Sequence, residues 1–135
     1  MAQTIRLEII TPERHVFSED VQTVTAPGVE GEFGVLYGHI SFLTQLQMGC
    51  VRYRYDSGEP HYIFVTGGIV QVLSDAVNIL TPAAERVEDI DMARAERAKE
   101  RALKRLQEQE EHVDTVRVQA ALTRAMNRIR VAKLG

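Results

Sequence analysis

The sequence predicts a β + α protein, with an N-terminal β-sandwich over residues 1–84 followed by a C-terminal antiparallel two-helix hairpin over 85–135. Three observations carry this. Short runs rich in Val and Ile recur at spacings of about ten residues as far as Leu80, separated by Gly, Ser and Asp, the pattern of an all-β body. Residues 86–135 then contain no Pro, and their only Gly is Gly135. Within that stretch apolar residues recur at helical rather than alternating spacing.

Ile5, Leu7 and Ile9 alternate with Arg6, Glu8 and Ile10, a strand with one buried face that Pro12 ends. Val21 to Val24 reads as a second short strand. Ala26 to Gly34, APGVEGEFG, reads as an exposed acidic turn, because Gly28, Gly31 and Gly34 permit tight turns and Glu30 and Glu32 interrupt any apolar face. Val35-Leu36 and Phe42–Leu46 are further strands. Gly49 marks a turn before the alternating Val51–Tyr55. Asp56-Ser57-Gly58 turns the chain into Tyr62–Val65. Gly67-Gly68 breaks that run before Ile69–Leu73, Ser74-Asp75 turns again, and Ala76–Leu80 completes the body, with Pro82 in the exit.

Asp89 or Asp91 caps a helix from Met92 to about Gln109, with Ala95, Ala98, Ala102 and Leu106 on one face. Glu110-Glu111-His112 forms the turn. Asp114 caps a second helix whose stripe is Val118, Leu122, Ala125, Ile129 and Ala132. Alanine on the first stripe lets the helices approach toward the lower end of the ~8–10 Å packing range. The buried area is small. At about 25 cal/mol per Å² it barely offsets the ordering of the hairpin, so the hairpin is expected to be marginal without a ligand or partner.

Net charge is −3, but it is unevenly spread. Residues 1–84 hold four Arg against nine Asp and Glu, and residues 85–135 hold twelve basic against ten acidic side chains. Beyond Asp114 the only charges are Arg117, Arg124, Arg128, Arg130 and Lys133, so the last helix is basic. Such a helix suits nucleic acid, an anionic nucleotide or an acidic protein groove. Cys50 is the single cysteine and forms no internal disulfide, as suits a reducing compartment. The opening MAQTIRLEII lacks the apolar core of a secretory leader, and no run approaches ~18 apolar residues. Any membrane association is expected through a partner.

Catalytic constellations are not expected. His15, His39, His61 and His112 are scattered, with no HxH, HExxH or CxxC spacing for a metal. His39 lies two residues from Ser41, but no third group or oxyanion hole accompanies the pair. The glycine run lacks the GK[ST] ending of a phosphate-binding loop and carries acidic side chains. Arg94, Arg124 and Arg128 are different. In an antiparallel hairpin the start of the first helix lies beside the end of the second, and Arg124 and Arg128 share a face. Three guanidinium groups there suit a triphosphate. They equally suit a solvated basic face, or ion pairs with Glu85, Glu88, Asp89 and Asp91.

Ala26-Pro27-Gly28, Gly31-Glu32-Phe33-Gly34-Val35-Leu36 with His39, and Phe64-Val65-Thr66-Gly67-Gly68-Ile69-Val70-Gln71-Val72 resemble the epsilon subunit of bacterial F-type ATP synthase. Ile90-Asp91-Met92-Ala93-Arg94-Ala95 and Arg124-Ala125-Met126-Asn127-Arg128 resemble the same family, so the likeness runs along essentially the whole chain. It implies a non-catalytic rotor subunit, peripheral on the cytoplasmic face of the plasma membrane. The sandwich would dock on the gamma subunit and the c-subunit ring, with Glu30, Glu32 and His39 toward its partners. The hairpin would lie on the sandwich or extend along gamma into the alpha/beta catalytic hexamer and block ATP hydrolysis; its basic second helix would meet an acidic beta segment there. In family members that bind ATP, the motif I/L-D-x-x-R-A acts with a preceding Glu and two later Arg. The matching positions here are Glu85, Ile90, Asp91, Arg94, Ala95, Arg124 and Arg128. ATP would then be a regulatory ligand that clamps the hairpin closed and is not hydrolysed. The motif assigns no role to Mg²⁺.

Three rivals stand beside this. A free-standing ATP-sensing or interaction module predicts a monomer complete alone. A nucleic-acid binder predicts steep salt dependence on random DNA, but the body is acidic, the basic helix carries no interleaved aromatics, and the chain has no Trp. An enzyme lacks its catalytic residues. The acidic glycine-rich turn paired with a weakly held hairpin favours the coupling subunit, without nucleic acid.

Overall fold

The computed structural model describes residues 3–108 and 114–134; the expected turn at Glu110-Glu111-His112 lies outside them. Eight strands form the body: β1 (Ile5–Ile10), β2 (His15–Val21), β3 (Thr23–Gly28), β4 (Gly31–Val35), β5 (Phe42–Arg54), β6 (His61–Val72), β7 (Ala76–Leu80) and β8 (Ala84–Arg86). They are linked in the order β2-β1-β7-β6-β5-β3-β4, with β8 also on β6. Every pairing is antiparallel except β1 with β7.

Two long strands make the sandwich from this single ladder. β5 and β6 pair from Phe42↔Val72 to Tyr53↔His61 in one unbroken register. Ile69–Val72 of β6 pair with β7 and Ile63–Val65 with β8, while β3 lies along β5 at Arg52–Arg54 and again at Gly28↔Leu46. Inward side chains from both layers, among them Ile5, Leu7, Ile9, Phe17, Val51, Ile63, Val65 and Ile79, form the core.

The glycines that read as breaks are instead corner residues. Gly67 and Gly68 lie inside β6 with φ of +111° and +115°. A Cβ on Gly68 would fall 2.0 Å from the Leu80 carbonyl oxygen, so β7 can pass that close only against glycine. Gly49 lies within β5, where a Cβ would stand 3.1 Å from that of Pro27; it is a point of close approach, not a turn. Pro82 is not the exit from the body. β7 and β8 face β6 in one continuous register, and Pro82, which has no N–H to give, interrupts it opposite Gly67. The Thr66 hydroxyl accepts from the Ala83 N–H at 3.0 Å, and the Thr66 N–H donates to the Ala83 carbonyl at 3.1 Å, which rejoins the ladder. β8 therefore runs across the division expected at residues 84 and 85.

APGVEGEFG is a hairpin, β3–β4, closed at Gly28↔Gly31 with Val29-Glu30 at its tip. Leu36 lies beyond β4 and is exposed.

A 3₁₀ turn at Val87–Asp89 leads to α1 (Met92–Glu108), and α2 (Thr115–Ala132) returns against it. Asp91 is the cap on α1, its carboxylate accepting from the Arg94 N–H at 3.0 Å. Asp114 does the same for Arg117 at 3.1 Å. Ala95, Ala102, Val118, Leu122, Ala125 and Ile129 are buried, as the stripes required. α2 also lies over β5 and β6, so the hairpin rests on the outer face of the second layer.

Candidate functional site

The hairpin meets the sandwich around Arg128. Its Nε donates to Glu85 Oε1 on β8 at 2.6 Å, and both side chains are about a third exposed, at 31% and 29%. The guanidinium carbon also stands 5.3 Å from the ring centroid of Phe64. Phe64 points away from the core that its neighbours Ile63 and Val65 enter, yet it is fully buried. The charge pattern allowed Glu85 as one of four acidic partners for the three arginines, but gave no sign of Phe64, whose alternation within β6 already turned it outward.

The other expected nucleotide residues follow the same junction. Asp91 is occupied with the first turn of α1, and Ala95 one turn on is buried. Ile90 is half-buried and donates its N–H to the Val87 carbonyl at 3.2 Å. The Arg94 side chain is exposed at that end. Among the described residues, no hydrogen bond or ion pair joins the side chains of Arg94 or Arg124 to the Glu85–Arg128 pair.

Arg124 instead lines a cleft of about 740 Å³ between α1 and α2, together with Arg101, Arg105 and Arg117. Two carboxylates, Glu108 and Asp114, lie on its wall. Both are already engaged: Glu108 is 4.0 Å from Lys104, and Asp114 caps α2. Four guanidinium groups thus border one open cleft, and among the described residues none of them forms an ion pair. The four guanidinium groups outnumber the two carboxylates on the wall, so the cleft carries net positive charge. Arg101 and Arg105 went unnoticed in sequence, and Arg117 was read only as part of a basic helix, because their spacing is that of any solvated helix; only the facing helix brings them together.

The residues expected to meet partners gather at one end of the sandwich. Glu30 is at the β3–β4 tip, where Val29 donates its N–H to the Gln45 carbonyl at 3.0 Å. Glu32 lies on β4, 3.9 Å from Arg52 in an exposed pair. The His39 ring stands 5.4 Å from that of Phe42, and its Nδ1 is 2.8 Å from the Ile40 carbonyl oxygen. Around them Ile40 is 83% exposed, Leu43 67% and Leu36 59%, an apolar fringe of the kind that marks a contact surface. Ile69 and Leu80, paired across β6 and β7, extend exposed apolar surface over the outer face of the first layer.

Cys50 is the Cα partner of Phe64, on the same outer face. Burial is the main influence on its thiol and pushes it up from 9.0 to about 11. The unfolded thiol ionises first, so this contribution to stability is complete below pH 9.0 and is lost as pH rises through about 11. Urea midpoints should therefore fall over that window, and the Cys50→Ser variant should fall less.

Among the described residues, no group of three His, Cys, Asp or Glu side chains could hold a metal ion, and no helix is long and apolar enough to cross a membrane.

Residues 4–87 match the model of the ATP synthase delta/epsilon chain β-sandwich domain, and residues 88–133 match that of its long α-helix domain. The chain is 50% identical over 133 residues to an ATP synthase epsilon chain of Syntrophobacter fumaroxidans, covering 98% of each. It is 54% identical over 108 residues to that of Desulfosudis oleivorans, covering 79% of this chain and 80% of the relative. A chain in the cryo-EM structure of Euglena gracilis mitochondrial ATP synthase, with its OSCP, F1 and c-ring, superposes with a TM-score of 0.75 at 28% identity, covering 100% of this chain and 83% of that one. Sandwich, hairpin and sequence thus agree along the chain's length: it belongs to the ATP synthase delta/epsilon chain family.

Proposed function

We propose that the chain is a central-stalk subunit of a proton-translocating F-type ATP synthase, which couples proton flow to ATP synthesis and restrains ATP hydrolysis through its hairpin. The sandwich docks through the Leu43, Ile69 and Leu80 face on the gamma subunit. It meets the c-subunit ring through the end bearing Glu30, Glu32 and His39. The subunit is peripheral, on the cytoplasmic face of a bacterial plasma membrane, and reaches the membrane only through the complex. It carries out no chemistry of its own. When the hairpin lifts and extends, basic α2 enters the alpha/beta hexamer and holds it against hydrolysis.

ATP is the gate in this reading, and the arginine-lined cleft carries it. Arg101, Arg105, Arg117 and Arg124 come from both helices, so a polyphosphate shared among them ties α1 to α2. Arg94 and Arg128 supply further charge at the sandwich end, and Asp91 and Ala95 hold that end of α1 in shape. A ligand that binds the closed hairpin better than the extended one shifts the population toward closed by its differential affinity.

The test is calorimetric titration of ATP into the full chain. Saturable binding is expected. Arg124→Ala, which removes one guanidinium from the cleft, should weaken it by about 1.5–3 kcal/mol, the worth of a hydrogen bond to a charged group. Unchanged affinity in that variant, or no binding to the native chain at millimolar ATP, removes ATP as the gate. Hydrolysis by the assembled catalytic complex should rise when α2 is deleted; an unchanged rate removes the inhibitory role.

A further inference from the structure

Arg128 is held on two sides, by the Glu85 carboxylate at 2.6 Å and by the face of Phe64 at 5.3 Å. Both partners belong to the sandwich, on β8 and β6, whereas Arg128 belongs to α2. Glu85 and Phe64 are themselves cross-strand partners, so their spacing is fixed by the ladder and does not depend on the hairpin. Phe64 is 0% exposed although it points out of the core, so its cover is the overlying α2. Lifting the hairpin exposes that ring and strips Arg128 of both contacts together.

We infer that Phe64 and Glu85 form a preassembled seat for Arg128 that latches the hairpin down in the absence of any nucleotide, with Phe64 as the positioning residue. The inference rests on the hairpin being able to lift, as proposed above, and not on nucleotide binding. A carboxylate alone allows the guanidinium to swing. A ring beneath its plane fixes the tilt of the fork, as an arginine requires and a lysine does not. A nucleotide acting near Arg128 therefore works on a hairpin already seated, and cellular conditions that extend it must first break the latch.

Cys50 provides a native reporter. It is the cross-strand partner of Phe64 and half-buried, and Arg130 of α2 acts on its thiol. Modification by a small aromatic disulfide reagent in the full-length chain, without nucleotide, reads the lifting of α2, with Cys50→Ser as the blank. Phe64→Leu and Glu85→Gln should each speed the reaction about tenfold, as loss of a partly desolvated cation–π or charged contact requires. Phe64→Tyr, which keeps the ring, should react at the native rate. In an Arg128→Gln background, Phe64→Leu should add less than about twofold, because its partner is gone.

Three outcomes overturn the inference. Phe64→Tyr as fast as Phe64→Leu shows that keeping the ring does not keep the seat. Phe64→Leu acting fully in the Arg128→Gln background shows that the ring does not work through the guanidinium. A native chain that reacts as fast as the urea-unfolded chain shows no latch at all; slowing by added ATP would then still leave the nucleotide reading intact. Should Phe64→Leu fail to fold, Glu85→Gln, which leaves the core untouched, decides.

Discussion

Gly68→Ala is expected to cost about 3–5 kcal/mol, enough to lower the midpoint of thermal unfolding by roughly 15 °C or more. Two effects add. At φ +115° an L side chain is strained by about 1–2 kcal/mol before it touches anything. Its Cβ would then lie 2.0 Å from the Leu80 carbonyl oxygen and 2.9 Å from the Thr81 Cα, both backbone, so no side chain can swing aside. Either β7 separates from β6 or the corner opens. Gly31→Ala is the comparison: it shares the positive φ, at +133°, but meets nothing within 4 Å, so only the strain of about 1–2 kcal/mol remains. Gly34→Ala has neither problem and should change stability by less than about 0.5 kcal/mol. Differential scanning calorimetry of the three variants checks the ranking. Equal effects at Gly68 and Gly31 would show that the close approach to Leu80 is not rigid.

The same corner marks the limit of what sequence disclosed. Alternation revealed β1, β7 and the halves of β5 and β6, because one inward face there is uniformly apolar. It could not distinguish a glycine that ends a strand from one that lets a strand turn between layers. Hence Gly49, Gly67 and Gly68 read as breaks. Much of β2 was missed for another reason. Glu19 faces the same side as its partner Leu7 and is accommodated at the rim by the Tyr55 hydroxyl, which donates at 3.0 Å, so the apolar period of Phe17 and Val21 is interrupted. The helices were legible almost to the residue, since caps and stripes are local. The Glu85–Arg128 pair was among the partners that charge pattern allowed. The arginine cleft was not legible, because it is made by two helices facing each other.

Removing two arginines of that cleft is expected to have the largest effect on ligand binding. Arg101 and Arg124 come from opposite helices and are exposed, so Arg101→Ala with Arg124→Ala leaves the buried stripes intact. If each guanidinium makes one charged hydrogen bond to a phosphate, the losses sum to about 3–6 kcal/mol, or roughly 10²–10⁴-fold in affinity. Arg97 is equally exposed on α1 but lies outside the cleft, so Arg97→Ala removes the same charge and should change affinity by less than about threefold. Titration of ATP into the three chains at fixed ionic strength measures the contrast. Comparable losses in Arg97→Ala and the double variant would mean that general charge, and not the cleft, attracts the nucleotide.

The long, constant-register ladder between β5 and β6 has a mechanical consequence. A subunit carried round on a stalk is pushed at one end and held at the other. Here the end bearing Glu30 and His39 borders the start of β5, and the far end of the same strand lies under the hairpin. Force along that axis loads the eleven paired positions of β5 and β6 in shear, all at once, and does not peel them apart in turn. Because both strands pass through the two layers, the layers cannot slide over each other without breaking that ladder. In the stalk role proposed above, the sandwich would transmit torque as a stiff spacer, and compliance would be left to the two helices on its surface.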